Sequence, residues 1–231
     1  MHQSSSLLLF TENQLQIVAL IFMAVVYSFK IRWILRFPAA RDRQAPGSRV
    51  SINATNATSA RRGAVVSLMQ VATPWAMAST RSHPLLYAGF AVFHLGVAAS
   101  IAMSFLIPYA PAAIAAPAAV GILQAVFAAA CLAGIVRLYR RIADPHIRAI
   151  SSPDDYFSLA LLVVWLGLSL LAAPNRPERA EWPLTAYFLA TAFFLVYVPF
   201  SKISHYIYYP FARWYLGRTL GYRGVYPLAG S

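Results

Sequence analysis

Five long apolar segments, separated by short polar stretches, dominate the hydrophobic pattern of the chain. A helix needs about 20 mainly apolar residues to cross the hydrocarbon core of a bilayer. The pattern therefore predicts transmembrane helices over residues 14–35, 84–107, 111–136, 156–173 and 184–208. Proline pairs separate the second helix from the third and the fourth from the fifth, as is typical of tight turns. The predicted fold is an all-α membrane bundle in one domain.

Composition supports lipid as the solvent. Hydrophobic residues make up 59% of the chain and charged residues 11%, and the mean hydropathy is +0.58. Average globular proteins carry about 25% charged residues. The net charge of +12 would suit a nucleic-acid partner, but the basic residues lie between the apolar segments and form no separate polar domain. We therefore predict no nucleic-acid partner.

The distribution of basic residues predicts the orientation. They cluster in the loop over residues 36–83, in the loop after the third helix and at the C-terminal end, which a five-helix chain places on one side. Because Lys and Arg favour the cytoplasmic side, the N-terminus is expected outside and the C-terminus in the cytoplasm, in a prokaryotic inner membrane. Within the long loop, residues 64–79 are amphipathic enough to form a short interfacial helix.

Two histidines fall inside predicted membrane helices, where ionisable side chains are costly and usually functional. His94 lies ten residues after Pro84, about 15 Å along the second helix. His205 lies eight residues before Arg213, and the two helices run in opposite directions, so both imidazoles are expected at similar depth. Two neutral imidazoles on facing helices can ligate a six-coordinate haem iron. The alternative is a hydrogen bond between the two helices.

Several neighbours of these histidines fit a haem. Gly96 is expected to leave room for the flat macrocycle beside the second helix. His83 shares a helix face with His94 and is expected at the membrane surface, near the haem propionates. Lys202, Arg81 and Arg213 are expected at the same level and could neutralise those propionates, although ordinary positive-inside charge explains them equally well.

Four motifs resemble one known family over about residues 75–218. FHLG at 93–96 resembles the first haem-ligand stretch of the cytochrome b subunits of the respiratory nitrate reductase gamma type, and PFSKISH at 199–205 resembles the stretch before a second ligand. YPFARWYLGR at 209–218 and the loop RLYRRIADPHIRAISSPDDY at 137–156 also resemble that family. The long loop over residues 36–83 is similar to that of relatives that serve sulfite-reduction and heterodisulfide-reductase-like complexes.

The resemblance implies a haem-b subunit that relays electrons between a membrane quinone or quinol and a cytoplasmic iron–sulfur protein, within a hetero-oligomeric complex. It implies His94 and His205 as the ligands of a cytoplasm-side haem. In the family, a second haem uses a histidine ten residues after the first ligand and another eighteen before the last. Here Ser104 and Tyr187 stand at those positions, so we predict one haem.

Two other classes remain as alternatives. One is a non-haem membrane anchor, in which the chain only docks a soluble enzyme. No catalytic base or nucleophile is evident in the sequence. A transporter is disfavoured, since the sequence lacks a set of buried carboxylates and an inverted repeat of broken helices. As a relay, the chain is a subunit of an oxidoreductase complex and not a complete enzyme alone.

Overall fold

The computed structural model describes residues 5–36, 56–70, 73, 75 and 78–222, and these residues contain helices and turns but no β-strand. The helices are α1 (Ser6–Leu9), α2 (Leu15–Arg36), α3 (Asn56–Met69), α4 (Ala78–Ser82), α5 (Pro84–Tyr109), α6 (Pro117–Ala143), α7 (Pro145–Ala149), α8 (Pro153–Ala172), α9 (Trp182–Tyr197) and α10 (His205–Tyr222). A π-helical turn (Phe10–Gln14) joins α1 to α2, and 3-10 turns occupy Pro111–Ile114, Val198–Phe200 and Lys202–Ser204. The predicted all-α fold is confirmed for this part of the chain.

Five of the described segments are long and apolar enough to cross a membrane: Ser6–Arg36, Pro84–Tyr109, Pro117–Ala143, Pro153–Ala172 and Trp182–Phe200. Each matches one predicted span. Large apolar side chains stay exposed along them, such as Val18 at 64% and Ile122 at 64%. Such exposure would be unfavourable in water but is expected where lipid covers the surface. The prediction of five membrane-spanning helices is therefore supported by length and composition.

Proline marks where several helices begin. Pro84, Pro117 and Pro153 are the first residues of α5, α6 and α8. Proline suits this position because its missing N–H would have no partner inside the helix, and its fixed φ is already helical. At α8, the backbone N–H of Ser152 also donates to the Asp155 carboxylate, at 2.8 Å. The fourth span therefore begins three residues before the predicted Tyr156.

The fifth span ends earlier than the sequence predicts. Its helix was expected to continue to residue 208, but α9 ends at Tyr197 and a 3-10 turn ends at Phe200. Pro199 has no N–H to continue the helical ladder, and Ser201 is extended, with φ −101° and ψ 170°. The Lys30 ammonium donates to the Pro199 carbonyl and lies 5.2 Å from the centre of the Phe200 ring. His205 consequently begins a separate helix.

The long loop also differs from its prediction. One short helix was predicted over residues 64–79, whereas the structure has α3 over Asn56–Met69 and the short α4 over Ala78–Ser82. An interfacial position for this segment stays a prediction. The residues at 37–55, and most of those between α3 and α4, lie outside the described part of the chain. Small residues of α3, among them Gly63 and Ala64, pack closely against Gly217 of α10. Hydrophobic periodicity does not register such a long-range contact.

The described residues form two packed units. The first comprises residues 5–30 and 87–203, and the second comprises the described residues within 31–86 and 204–222. In the first unit, the largest fully buried side chains include Tyr187, Phe127 and Phe188. Trp165 of α8 stacks on Tyr187 of α9, with ring centres 6.4 Å apart, and its Nε1 donates to Thr191 Oγ1 at 2.9 Å. Aromatic packing therefore holds α8 and α9 together.

The second unit is built on a glycine contact between α3 and α10. A Cβ added at Gly63 would lie 2.3 Å from the Gly217 carbonyl oxygen and 2.8 Å from the Gly221 Cα. Both neighbours are backbone atoms, so the helices can approach this closely only without a side chain at residue 63. Arg213 Nη2 adds hydrogen bonds to the Ser67 carbonyl at 3.0 Å and to Gln70 Oε1 at 2.8 Å.

Replacing this glycine should open the α3–α10 pair. We expect Gly63→Ala to destabilise the pair by about 1–3 kcal/mol, because the new methyl group overlaps backbone atoms. Limited trypsin digestion followed by mass spectrometry should then show faster cleavage after Arg61 and Arg62, which are exposed on α3. Gly121→Ala is the matched control, because no atom lies within 4 Å of a Cβ built there. Equal cleavage rates in the two variants would contradict the glycine contact.

Candidate functional site

His94 lies half-buried on α5, and the helix itself fixes its ring. Its Nδ1 is 2.8 Å from the carbonyl oxygen of Phe90, one turn earlier. Because a carbonyl oxygen can only accept, Nδ1 carries the proton and the lone pair of the neutral ring is on Nε2. Metal-ligating histidines commonly donate their other ring nitrogen to a carbonyl or carboxylate in this way. His94 therefore has the tautomer that ligation of haem iron through Nε2 requires.

Aromatic rings and one arginine surround His94. The Phe90 ring centre is 3.9 Å from the imidazole centre, and the Phe93 ring meets the imidazole edge-on at 6.0 Å. Arg137 of α6 places its guanidinium carbon 5.7 Å from the Phe90 ring centre and 5.4 Å from that of Phe93. Arg137 is half-buried and has no ion pair or hydrogen bond with another described residue. A positive charge without a carboxylate partner thus lies on the rings that contact His94.

Gly96 serves the packing of α5 on α6. It is buried, and a Cβ added to it would lie 2.2 Å from the Ala130 Cβ and 3.5 Å from Leu166 Cδ2. The space beside Gly96 is therefore filled by protein. This close helix contact accounts for glycine at residue 96 without the predicted contact to a macrocycle.

Of the two positions that would hold a second haem in the similar family, Tyr187 lies in a packed core and Ser104 is half-buried. Tyr187 is completely buried, and its hydroxyl donates to the Ser100 carbonyl at 2.6 Å. Ser100 Oγ is 2.6 Å from Ser169 Oγ, which links α5 to α8. The Ser104 hydroxyl donates to the carbonyl of Ile101 in its own helix at 2.7 Å. The Tyr187 side chain is therefore part of the packing between α9 and α5.

His205 occupies a different setting from that predicted. It is the first residue of α10, five residues beyond the end of the fifth span at Phe200, and it is exposed. This revises its expected place inside the fifth membrane helix. His94 belongs to the first packed unit and His205 to the second. Its role as a second ligand remains a prediction from the resemblance.

Lys202 is paired with a carboxylate. Its ammonium donates to Asp155 Oδ2 at 2.7 Å and to Ser152 Oγ at 2.8 Å, and Arg141 lies 3.8 Å from the same carboxylate oxygen. The Lys202 charge is therefore largely balanced by Asp155. A contact between Lys202 and a haem propionate stays a prediction. Such a propionate would have to compete with Asp155 for the Lys202 ammonium.

The neighbouring carboxylate, Asp154, binds the chain segment that follows α9. Its Oδ1 accepts the Tyr197 hydroxyl at 2.5 Å, and its Oδ2 accepts the backbone N–H of Lys202 at 3.0 Å. Ser158 also donates to Oδ1, at 3.3 Å. Two motifs that carry the family resemblance, SSPDDY and PFSK, are thus joined by direct hydrogen bonds. In this structure they hold the first turn of α8 against the end of α9 and the segment that follows it.

Loss of the Asp154 carboxylate should weaken the contact between the start of α8 and the end of α9. We expect Asp154→Ala to lower the free energy of unfolding by about 1 kcal/mol, because the Tyr197 hydroxyl and the Lys202 N–H lose their acceptor. Tyr197→Phe should have a smaller effect, since the Lys202 N–H and the Ser158 hydroxyl keep Asp154 as their acceptor. Thermal unfolding of the detergent-solubilised protein measures both. Glu178→Ala is the control, as Glu178 is exposed and makes no ion pair with a described residue. A midpoint for Asp154→Ala equal to that control would refute the role.

The remaining predicted neighbours lie in the second unit. Arg81 of α4 donates to the Trp75 carbonyl at 2.9 Å, and His83 is exposed in the break between α4 and α5. Arg213 bonds to α3, as described above. These contacts show that Arg81 and Arg213 stabilise local structure, whereas the structure gives His83 no specific role.

The described residues contain no group of three or more His, Cys, Asp or Glu side chains that could hold a metal ion. A metal centre built only from protein ligands is therefore not indicated in this part of the chain. The residues that sequence reasoning missed are Arg137 and the Asp154–Asp155 pair. The sequence signal for the latter was present, because Ser followed three residues later by an acidic residue is typical of a helix start.

Comparison with known proteins adds one relative. No protein-family model matches the chain. A protein of Nitratidesulfovibrio vulgaris, named only "Protein", is 27% identical over 168 residues, which cover 68% of this chain and 70% of that protein. Because this name specifies no activity, the functional assignment depends on the residues themselves.

Proposed function

We propose that the chain is a haem-b membrane subunit that relays electrons between a membrane quinone or quinol and an iron–sulfur partner protein. The observation that carries the proposal is the hydrogen bond from His94 Nδ1 to the Phe90 carbonyl. It prepares Nε2 as a ligand on a membrane-spanning helix, where a histidine without a function is costly. The resemblance of FHLG and PFSKISH to nitrate reductase gamma-type subunits supports the same reading.

The residues around His94 suit a buried redox centre. When bound, a bis-histidine haem b supplies a one-electron centre whose potential depends on ligands, burial and nearby charge. His94 would hold the iron on one side, with His205 as the second ligand that the resemblance implies. The Phe90 and Phe93 rings pack against the imidazole. Arg137 would offer a positive charge to an acidic group of the cofactor, since it has no carboxylate partner among the described residues.

One haem per chain fits the structure better than two. A second haem in the manner of the similar family would need ligands at residues 104 and 187. Tyr187 is fully buried and bonded to the Ser100 carbonyl, so a macrocycle there would have to displace packed protein. Dense interiors resist such insertion. The proposal therefore keeps a single haem.

The experiment that separates the relay from a non-haem anchor is quinol reduction of the purified complex. A soluble reduced quinone analogue is added under anaerobic conditions, and the optical spectrum is recorded. A relay predicts low-spin b-type bands that sharpen on reduction. An anchor predicts a complex that keeps its soluble partner and its catalytic activity but contains no haem in this chain, and that result would overturn the proposal.

The partner would dock on the cytoplasmic face, if the basic loops lie there as the positive-inside rule implies. We propose a prokaryotic inner-membrane location because the chain is rich in Ala and Arg. Reporter fusions test the orientation directly. Alkaline phosphatase fused after Ser231 should be inactive and a cytoplasmic fluorescent reporter active, whereas the reverse pattern would place the C-terminus outside.

A further inference from the structure

A cavity of about 360 Å³ lies where three membrane-spanning segments of the first unit begin or end. Its walls come from the first turns of α6, the segment after α8 and the start of α9. The lining residues are Val120, Gln124, Pro174, Arg176, Arg179, Ala180 and Pro183. The lining thus combines apolar residues with one glutamine and two arginines.

The two arginines form no ion pair with any acidic residue in the described part of the chain. Neither Arg176 nor Arg179 makes an ion pair or a side-chain hydrogen bond with another described residue. The nearest carboxylates in sequence are Glu178 and Glu181. Glu178 is exposed and unpaired within the described chain, and Glu181 Oε1 accepts the backbone N–H of Ser5 at 2.8 Å. Two exposed cationic side chains therefore border one cavity, and neither forms an ion pair with a described residue.

The position of the cavity indicates its surroundings. α6 begins at Pro117, α8 ends at Ala172 and α9 begins at Trp182, so the cavity lies at the level where these spans leave the hydrocarbon core. Trp182 is 60% exposed at the same end of α9, as expected for an aromatic side chain at the membrane interface. Lipid phosphates occupy this level of a bilayer.

We propose that this cavity binds the phosphate of an anionic phospholipid, with Arg176 and Arg179 as its ligands. Guanidinium groups match phosphate oxygens in geometry and charge. Val120, Pro174 and Pro183 provide apolar surface for the glycerol and the upper acyl chain. The Gln124 amide donates to the Leu170 carbonyl at 3.4 Å, which ties the α6 wall to α8. A neutral quinone ring would leave both positive charges uncompensated. The site is independent of the proposed haem.

The test compares lipid binding by two double variants of the full-length protein. R176Q/R179Q removes the proposed ligands, and R140Q/R148Q removes the same charge from exposed arginines elsewhere. Each protein is delipidated in detergent, incubated with phosphatidylglycerol or phosphatidylcholine, and analysed by native mass spectrometry. We expect R176Q/R179Q to bind phosphatidylglycerol about tenfold more weakly, whereas R140Q/R148Q retains binding. Phosphatidylcholine should bind weakly to the unaltered protein and to both double variants.

Competition identifies the source of the phosphate. Glycerol 3-phosphate should displace phosphatidylglycerol only at much higher concentration, because it lacks the acyl chain. Displacement at equal concentration would instead assign the cavity to a soluble phosphate compound. Three results would overturn the lipid assignment. The two double variants could lose phosphatidylglycerol equally, or the unaltered protein could retain phosphatidylcholine as well as phosphatidylglycerol. A quinone analogue could also bind in a manner that depends on Arg176 and Arg179. Unchanged thermal unfolding of R176Q/R179Q verifies that the fold is intact.

Discussion

Substitution His94→Ala should remove most of the haem from the purified protein, with a drop of about tenfold or more in bound haem per chain. The imidazole is held on α5 by the bond from Nδ1 to the Phe90 carbonyl, and no other described histidine lies within a membrane-spanning segment. Without it, a haem at this site would lose one of its two proposed histidine ligands. The pyridine haemochromogen assay measures the haem content, and the optical spectrum shows whether any remaining haem is still low-spin.

The matched control for this substitution is His146→Ala. His146 is an exposed residue of α7, where its backbone N–H donates to Asp144 at 2.9 Å, a bond that alanine can also make. We expect this variant to keep its haem. If both variants retained full haem with an unchanged spectrum, His94 would not be a ligand, and the hydrogen bond to Phe90 would then reflect ordinary helix packing.

Gly96→Ala should be among the most destabilising of the conservative substitutions in α5. The added methyl group would lie 2.2 Å from the Ala130 Cβ, and neither alanine has a flexible side chain that could turn away. The helices would have to separate, at a cost of about 1–3 kcal/mol in the free energy of unfolding. A lower midpoint in thermal unfolding, followed by tryptophan fluorescence in detergent, measures this effect.

Gly89→Ala provides the comparison within the same helix. No atom lies within 4 Å of a Cβ built at Gly89, so its methyl group would extend into open space. Alanine should be neutral there or stabilising by up to about 1 kcal/mol, since it favours helix more than glycine does. Equal midpoints for the two variants would show that α5 and α6 do not approach as closely at Gly96 as the structure indicates.

The hydrophobic pattern was sufficient to predict the five spans, because lipid solvation imposes a length and composition that the sequence shows directly. Their ends were harder to predict. α8 begins at Pro153 because of a proline and a capping carboxylate, whereas the fifth span ends at Phe200 because Pro199 and Ser201 interrupt a stretch that remains apolar afterwards. Hydropathy alone continues through that break, and His205 was therefore placed inside a helix that had already ended.

The candidate site was predictable only in part. His94 was identified because a histidine in an apolar helix is conspicuous, but its tautomer and the Arg137 guanidinium above the Phe90 and Phe93 rings depend on packing between α5 and α6. Similarly, Lys202 was predicted from its position alone, and its ion pair with Asp155 joins residues that are 47 apart in the chain. Such contacts are set by tertiary structure and leave no local sequence signal.

The most direct test of the proposed relay is electron paramagnetic resonance of the oxidised complex, combined with a haem count per chain. Ligation by two imidazoles predicts one low-spin ferric haem, with a signal that is lost in the double variant H94A/H205A while the partner protein stays bound. A signal that persists in that variant would contradict ligation by this histidine pair, as would a fully assembled complex without haem in this chain.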